Sequence, residues 1–119
     1  MGQYFQVFNL DKKQKLHPHL FNDGLKLLEF GSSGQGTMFG LSLLLRQSSE
    51  FGGGDFNYKH GLVDLLLGSW AGDRISIVGD YDDSDIYDHE AYVDISTDVV
   101  EMIKLHPYFA EKFKTNVYV

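Results

Sequence analysis

Residues 75–81 alternate: Ile75, Ile77, Gly79 and Tyr81 fall on one side, Arg74, Ser76, Val78 and Asp80 on the other. That period of two predicts a central strand with one well-buried face. Ala71, Gly72 and Asp73 read as a turn before it, and the apolar run 65–70 as a partner strand folding back from that turn, with Trp70 capping the core at the corner. Earlier, Tyr4, Phe5, Val7 and Phe8 place a first strand over residues 3–10. A polar turn leads from it to a second strand ending at Leu16, and Pro18, which has no amide hydrogen to donate, stops regular pairing. The turn signal Asn22-Asp23-Gly24 precedes residues 25–30, which fit a buried strand or a short helix, the strand being preferred.

Helical spacing begins later. Met38, Leu41, Leu44 and Leu45 share one face of a helix predicted over residues 38–47, with Thr37 as its cap and Gly40 allowing close approach to the sheet. The triple glycine at 52–54 marks a long connector with nothing to anchor it. Val93 and Ile95 suggest a further strand. Ser96, Thr97 and Asp98 then offer caps, with Glu101 completing a capping box, for a helix carrying Val99, Met102, Ile103 and His106. Pro107 opens a second short helix in which Phe109 and Phe113 stack, and residues 115–119 are β-prone enough to close a sheet edge. Together these predict one α+β domain over residues 1–119: a mostly antiparallel sheet of about five strands with two or three helices packed on one face.

Composition narrows the function classes. The chain has 119 residues, 43% of them hydrophobic, no cysteine and a formal charge of −7. Absence of cysteine removes disulfides and thiolate metal sites, and a reducing cytoplasm is the expected home. No apolar run approaches the ~20 residues of a membrane span. The acidic balance argues against direct nucleic-acid or anionic-membrane binding. Distribution matters more than the total: nine of seventeen acids lie between residues 80 and 101, and no Lys or Arg occurs between Arg74 and Lys104. Asp80, Tyr81, Asp82, Asp83, Asp85, Tyr87, Asp88 and Glu90 are therefore the candidate contact surface for a protein partner. The acids would steer it, and Tyr81, Tyr87 and Tyr92 would supply contact area.

Two stretches resemble a known group. Met1-Gly2-Gln3-Tyr4-Phe5 with Leu16-His17-Pro18 and residues 23–30, and Ser69-Trp70-Ala71-Gly72-Asp73-Arg74 with Gly79-Asp80-Tyr81, are similar to a group of small prokaryotic and phage-encoded proteins without an established activity. The resemblance covers about half the chain. It implies a mobile-element setting and transfers no catalytic or binding residue.

Other chemistry is weaker. His17-Pro18-His19 has the spacing of two imidazole ligands in an extended segment, and His89, between Asp88 and Glu90, offers a third, so a divalent metal is the one cofactor the residues leave open. The acids from Asp80 onward fail the EF-hand pattern: Asp85 stands where glycine is required and Ala91 where a bidentate glutamate is required. Gly31 and Gly36 have P-loop spacing, but Thr37 follows with no lysine between. That leaves anion binding by Gly34, Gly36 and Thr37 at a helix start. No Gly-x-Ser-x-Gly elbow is present. The leading expectation is a non-enzymatic cytoplasmic protein that binds a protein partner as an inhibitor or nucleic-acid mimic. The alternative is a small metal-dependent hydrolase or a phosphate- or nucleotide-binding domain.

Overall fold

A computed structural model describes residues 2–115, 117 and 118. Among them the chain forms strands β1 (Phe5–Asn9), β2 (Gln14–Leu16), β3 (Ile75–Gly79) and β4 (Val93–Asp94). The helices are α1 (Leu27–Phe30), α2 (Thr37–Leu45), α3 (Gly61–Leu66), α4 (Ser96–Ile103) and α5 (Pro107–Ala110). Single 3-10 turns lie at Pro18–Phe21 and Glu111–Phe113. The class is α+β. The sheet has four strands in the order β3-β1-β2-β4; both neighbours of β1 are antiparallel to it, while β4 runs parallel to β2. The sheet is thus mixed and one strand smaller than predicted.

β1 is central because it can be buried on both faces. Val7 and Phe8 are both fully buried and point in opposite directions. On the Val7 side, Leu16, Trp70, Phe21 and Phe30 pack with Leu41 and Leu44 of α2, Val63 and Leu66 of α3, and Val99, Met102 and Ile103 of α4. On the Phe8 side a smaller cluster of Phe8, Val78 and Tyr92 is bordered by Leu10, Ile86 and Tyr87. Helices therefore cover one face, as predicted, and the acidic segment 80–92 folds over the other.

Several local expectations are overturned. The run 65–70 is no hairpin arm: it finishes α3 and docks on α2 through Gly68 N–H to Leu43 O and Trp70 N–H to Leu44 O, each 2.9 Å. The partner of β3 is β1. Consecutive leucines suit a helix packed on a sheet, and Gly68, at φ 74°, reverses the chain where a Cβ would stand 2.6 Å from Arg46 O. Trp70 is fully buried and its Nε1–H donates to Gln14 Oε1 at 2.7 Å, so it is a core residue with a satisfied polar edge. Within residues 25–30 no strand forms: Leu27–Phe30 make α1, with the Glu29 side chain accepting from Lys26 N–H at 3.0 Å. On β3, Val78 is buried while Ile77 is 39% exposed, the reverse of the face expected from the alternation.

Near the C-terminus, α4 starts at Ser96 with Ile95 at its N-cap, so the capping box expected at Asp98 does not form; Asp94, just ahead, accepts from Ser96 N–H at 2.9 Å, while the Ser96 hydroxyl accepts from His17 N–H at 2.7 Å. Phe109 packs on Phe39, with ring centroids 4.6 Å apart. Of the β-prone tail, Thr115, Val117 and Tyr118 form bends and turns, and Asn116 and Val119 lie outside the described residues. Gly40 behaves as its position implies. A Cβ there would lie 2.8 Å from Phe21 Cε2 and 3.0 Å from Val99 Cγ1, so glycine sets the distance of α2 from its neighbours.

Candidate functional site

The acidic segment begins where β3 ends. Asp80 N–H donates to Tyr4 O at 2.8 Å, and the Asp80 carboxylate accepts from Tyr4 N–H at 2.9 Å, so this acid is fixed by the start of β1. Asp82 N–H then donates to Gly79 O at 3.0 Å, and the Asp82 carboxylate accepts from Ser84 N–H at 2.9 Å. Hydrogen bonding from the Ser84 side chain, and next from its amide, holds the Asp82 carboxyl below its ordinary value. Asp85 takes a left-handed turn at φ 69°, which a short polar side chain tolerates. The segment then drops Ile86 and Tyr87 toward Phe8. It returns through Tyr92 to β4, whose Val93 N–H reaches Lys13 O at 2.9 Å.

The eight predicted contact residues therefore divide by role. Asp80, Tyr81, Asp82, Asp83, Asp85, Asp88 and Glu90 are exposed. Tyr87 is half-buried, its ring centroid 6.3 Å from that of Phe8, and Tyr92 is buried edge-on against Phe8 at 5.1 Å. These two tyrosines anchor the segment, which corrects their expected role as contact area. Tyr81, 60% exposed with its hydroxyl donating to Gly2 O, remains on the surface.

Unpaired acids are concentrated in this segment. Of the nine acids outside 80–98, Asp11, Asp23, Asp55, Asp73, Glu101 and Glu111 each have a Lys or Arg partner, while Glu29, Glu50 and Asp64, spaced apart along the chain, have none among the described residues. Among the described residues, none of the acids in 80–98 takes part in an ion pair. Lys13 reaches the inner side of the segment, its Nζ 5.1 Å from the Tyr92 ring centroid and 3.4 Å from its hydroxyl.

The expected metal site does not assemble. Among the described residues no three of His, Asp and Glu come together to hold a metal ion. His17 and His19 are adjacent, with ring centroids 5.1 Å apart, but His17 Nδ1 already accepts from His19 N–H at 3.2 Å. His89 Nδ1 accepts from Ala91 N–H at 3.1 Å. His60 and His106 cap α3 and α5 in the same way. Four histidines are thus used as turn and helix caps, a role their spacing alone did not disclose. Burial, followed by the neighbouring His19, pushes the His17 imidazole below its ordinary value of 6.5.

The expected anion site at Gly34, Gly36 and Thr37 is filled from within. The Asp23 carboxylate accepts from Thr37 N–H at 2.7 Å and from Thr37 Oγ at 2.8 Å, and Lys112 Nζ lies 3.4 Å from its other oxygen. A Cβ on Gly36 would overlap Asp23 Oδ2. Gly34 stands in open space and takes no part. The glycine-rich start of α2 binds a carboxylate as such a helix terminus should, but the carboxylate belongs to the chain itself. The signal was in the sequence as the turn Asn22-Asp23-Gly24; only its spatial partner was missing.

What remains is a small α+β protein whose acidic segment lies across one face of the sheet, beside the open edge of β3. Comparison with protein-family models, with curated proteins and with solved structures gave no match. No helix among the described residues is long and apolar enough to cross a membrane.

Proposed function

We propose that this chain is a non-enzymatic, cytoplasmic binding protein that engages a basic protein partner through the acidic face at residues 80–90, as an inhibitor or nucleic-acid mimic. One observation carries the reading. Six of the nine acids elsewhere are matched by Lys or Arg, whereas none of the eight in 80–98 has an ion-pair partner among the described residues. A cluster of like charge costs stability by self-repulsion, and a partner that neutralises it recovers that cost on binding. Anchoring through Ile86, Tyr87 and Tyr92 supports a preorganised surface, which lowers the entropy lost on association. The lack of cysteine supports a reducing compartment. The resemblance of the opening residues and the Trp70 stretch to small phage-encoded proteins supports a mobile-element setting.

The test compares binding of a lysine-rich peptide to the wild-type chain, to D82N/D83N and to E50Q/D64N, at low and high ionic strength. All four positions are exposed, and each pair of substitutions removes the same charge. Affinity should fall steeply with salt and drop in D82N/D83N alone. Equal losses in the two variants, or an affinity that ignores salt, would refute the reading.

A further inference from the structure

The two ends of the sheet are unlike. β4 is two residues long, so the edge beside it is short, one of the ways proteins blunt an exposed strand. β3 is five residues long, carries no proline, lysine or arginine, and has a partner only on its β1 side. The phase of its ladder follows from two bonds: Asp80 N–H to Tyr4 O and Leu10 N–H to Arg74 O. In an antiparallel pair these fall on every second residue, so Ser76 and Val78 spend their backbone groups on β1. Ile75, Ile77 and Gly79 direct theirs to the open side. Gly79 O is taken by Asp82 N–H; among the described residues no backbone bond reaches the N–H or C=O of Ile75 or Ile77.

A groove of about 420 Å³ runs along this edge. Phe5, Ile77, Val78 and Ile86 give it apolar walls, and Tyr81 and Asp82 stand at its rim. Ile77 is 39% exposed because the helices that cover Val7 and Leu16 stop short of it. Unpaired backbone groups in a row, with side-chain pockets to either side, are what an added strand requires: the ladder supplies affinity and the pockets select alternate side chains.

We propose that β3 is a docking edge, taking an extended segment rich in lysine or arginine from a partner protein as a fifth strand. The choice of occupant rests on the acidic-face reading. The groove opens at the start of that face, where Asp80, Asp82, Asp83 and Asp85 have no ion-pair partner among the described residues. A second copy of this chain fits less well. It would bring the same acidic segment, and Arg74, the residue just before β3, is already held by Asp11 at 2.8 Å.

The experiment titrates the isotope-labelled full chain with a nine-residue peptide of alternating lysine and valine, and with its glutamate counterpart, while amide exchange is followed by NMR. The lysine peptide is expected to slow exchange at Ile75, Ile77 and Gly79; the glutamate peptide is expected to leave them unchanged. Ile77→Pro removes an outward N–H and none of the β1 ladder, so it should abolish the protection while the spectrum of the rest of the chain persists. Should that variant fail to fold, Ile77→Lys, which sets a cation in the groove, is expected to abolish it as well. Binding that shifts only the amides of 80–90 would overturn the docking edge and leave the acidic-face reading standing. No binding by either peptide would overturn both. Protection of Ile75 and Ile77 that rises with protein concentration in the absence of peptide would assign the edge to a second copy and overturn the proposal.

Discussion

Asp23 shows how much one side chain can do in this fold. It closes the start of α2 through the Thr37 amide and hydroxyl and holds Lys112 from the far end of the chain. Asp23→Asn keeps the shape but removes the charge that both partners recognise, and a loss of about 1–3 kcal/mol is expected for such buried, charge-assisted bonds. Urea denaturation would measure it. Gln6 presents the opposite case. Its Oε1 is buried on β1 with no hydrogen-bond partner among the described residues, a condition that costs roughly 1–3 kcal/mol. Gln6→Met, of similar shape and without the orphan oxygen, should therefore raise the urea midpoint.

His17 adds a pH dependence at the same scale. His17 has a lowered pKa in the fold, so the unfolded chain binds its proton more readily. Its contribution is fully present above the ordinary value of 6.5 and is lost as the pH falls from there through the folded value. Asp11, Asp55, Asp73 and Asp82, held low chiefly by Arg74, Arg46, Asn9 and Ser84 respectively, contribute in a second window, lost only as the pH falls below about 3.8. Stability measured between pH 7.5 and 5 should thus decline in the wild type. The decline should be shallower in His17→Asn, whose side-chain oxygen can cap without titrating.

At the level of elements, α2 is decided by contact more than by propensity. Alanine at position 40 would gain roughly 1 kcal/mol of helix propensity over glycine. It would also drive a Cβ into Phe21 and Val99, and overpacking of this kind costs about 1–3 kcal/mol. The steric term wins, so Gly40→Ala is expected to lower the urea midpoint. The loop at 48–55 is organised in a similar way from one side chain. Arg46 donates to Asp55, to Ser48 O and to Glu50 O and lies 4.5 Å from the Phe51 ring centroid, which gives the triple glycine an anchor its own residues lack.

For the molecule as a whole, the deciding feature is where charge is left unmatched. Replacing Asp83, Asp85 and Asp88 with asparagine removes three like charges that have no ion-pair partner among the described residues. Melting temperature should rise in that variant at low ionic strength and converge with the wild type at high salt, because screening removes the repulsion in both. No gain at low salt would mean that the segment is not a site of concentrated charge.

Much of this architecture was readable from residue order alone. The strands at 5–9 and 75–79, the helix at 37–45 and the acidic stretch follow from period, propensity and charge counts, which are local quantities. The partner of β3, the parallel setting of β4 and the helical fate of residues 27–30 do not, since short apolar runs satisfy either geometry until neighbours choose between them. Nor does sequence order reveal that Asp23 fills the start of α2, that the histidines cap turns, or that Tyr87 and Tyr92 turn inward over Phe8. Those outcomes depend on which groups meet across the fold. A carboxylate binds the nearest suitable donors in space, and a tyrosine buries its ring wherever apolar surface is left uncovered.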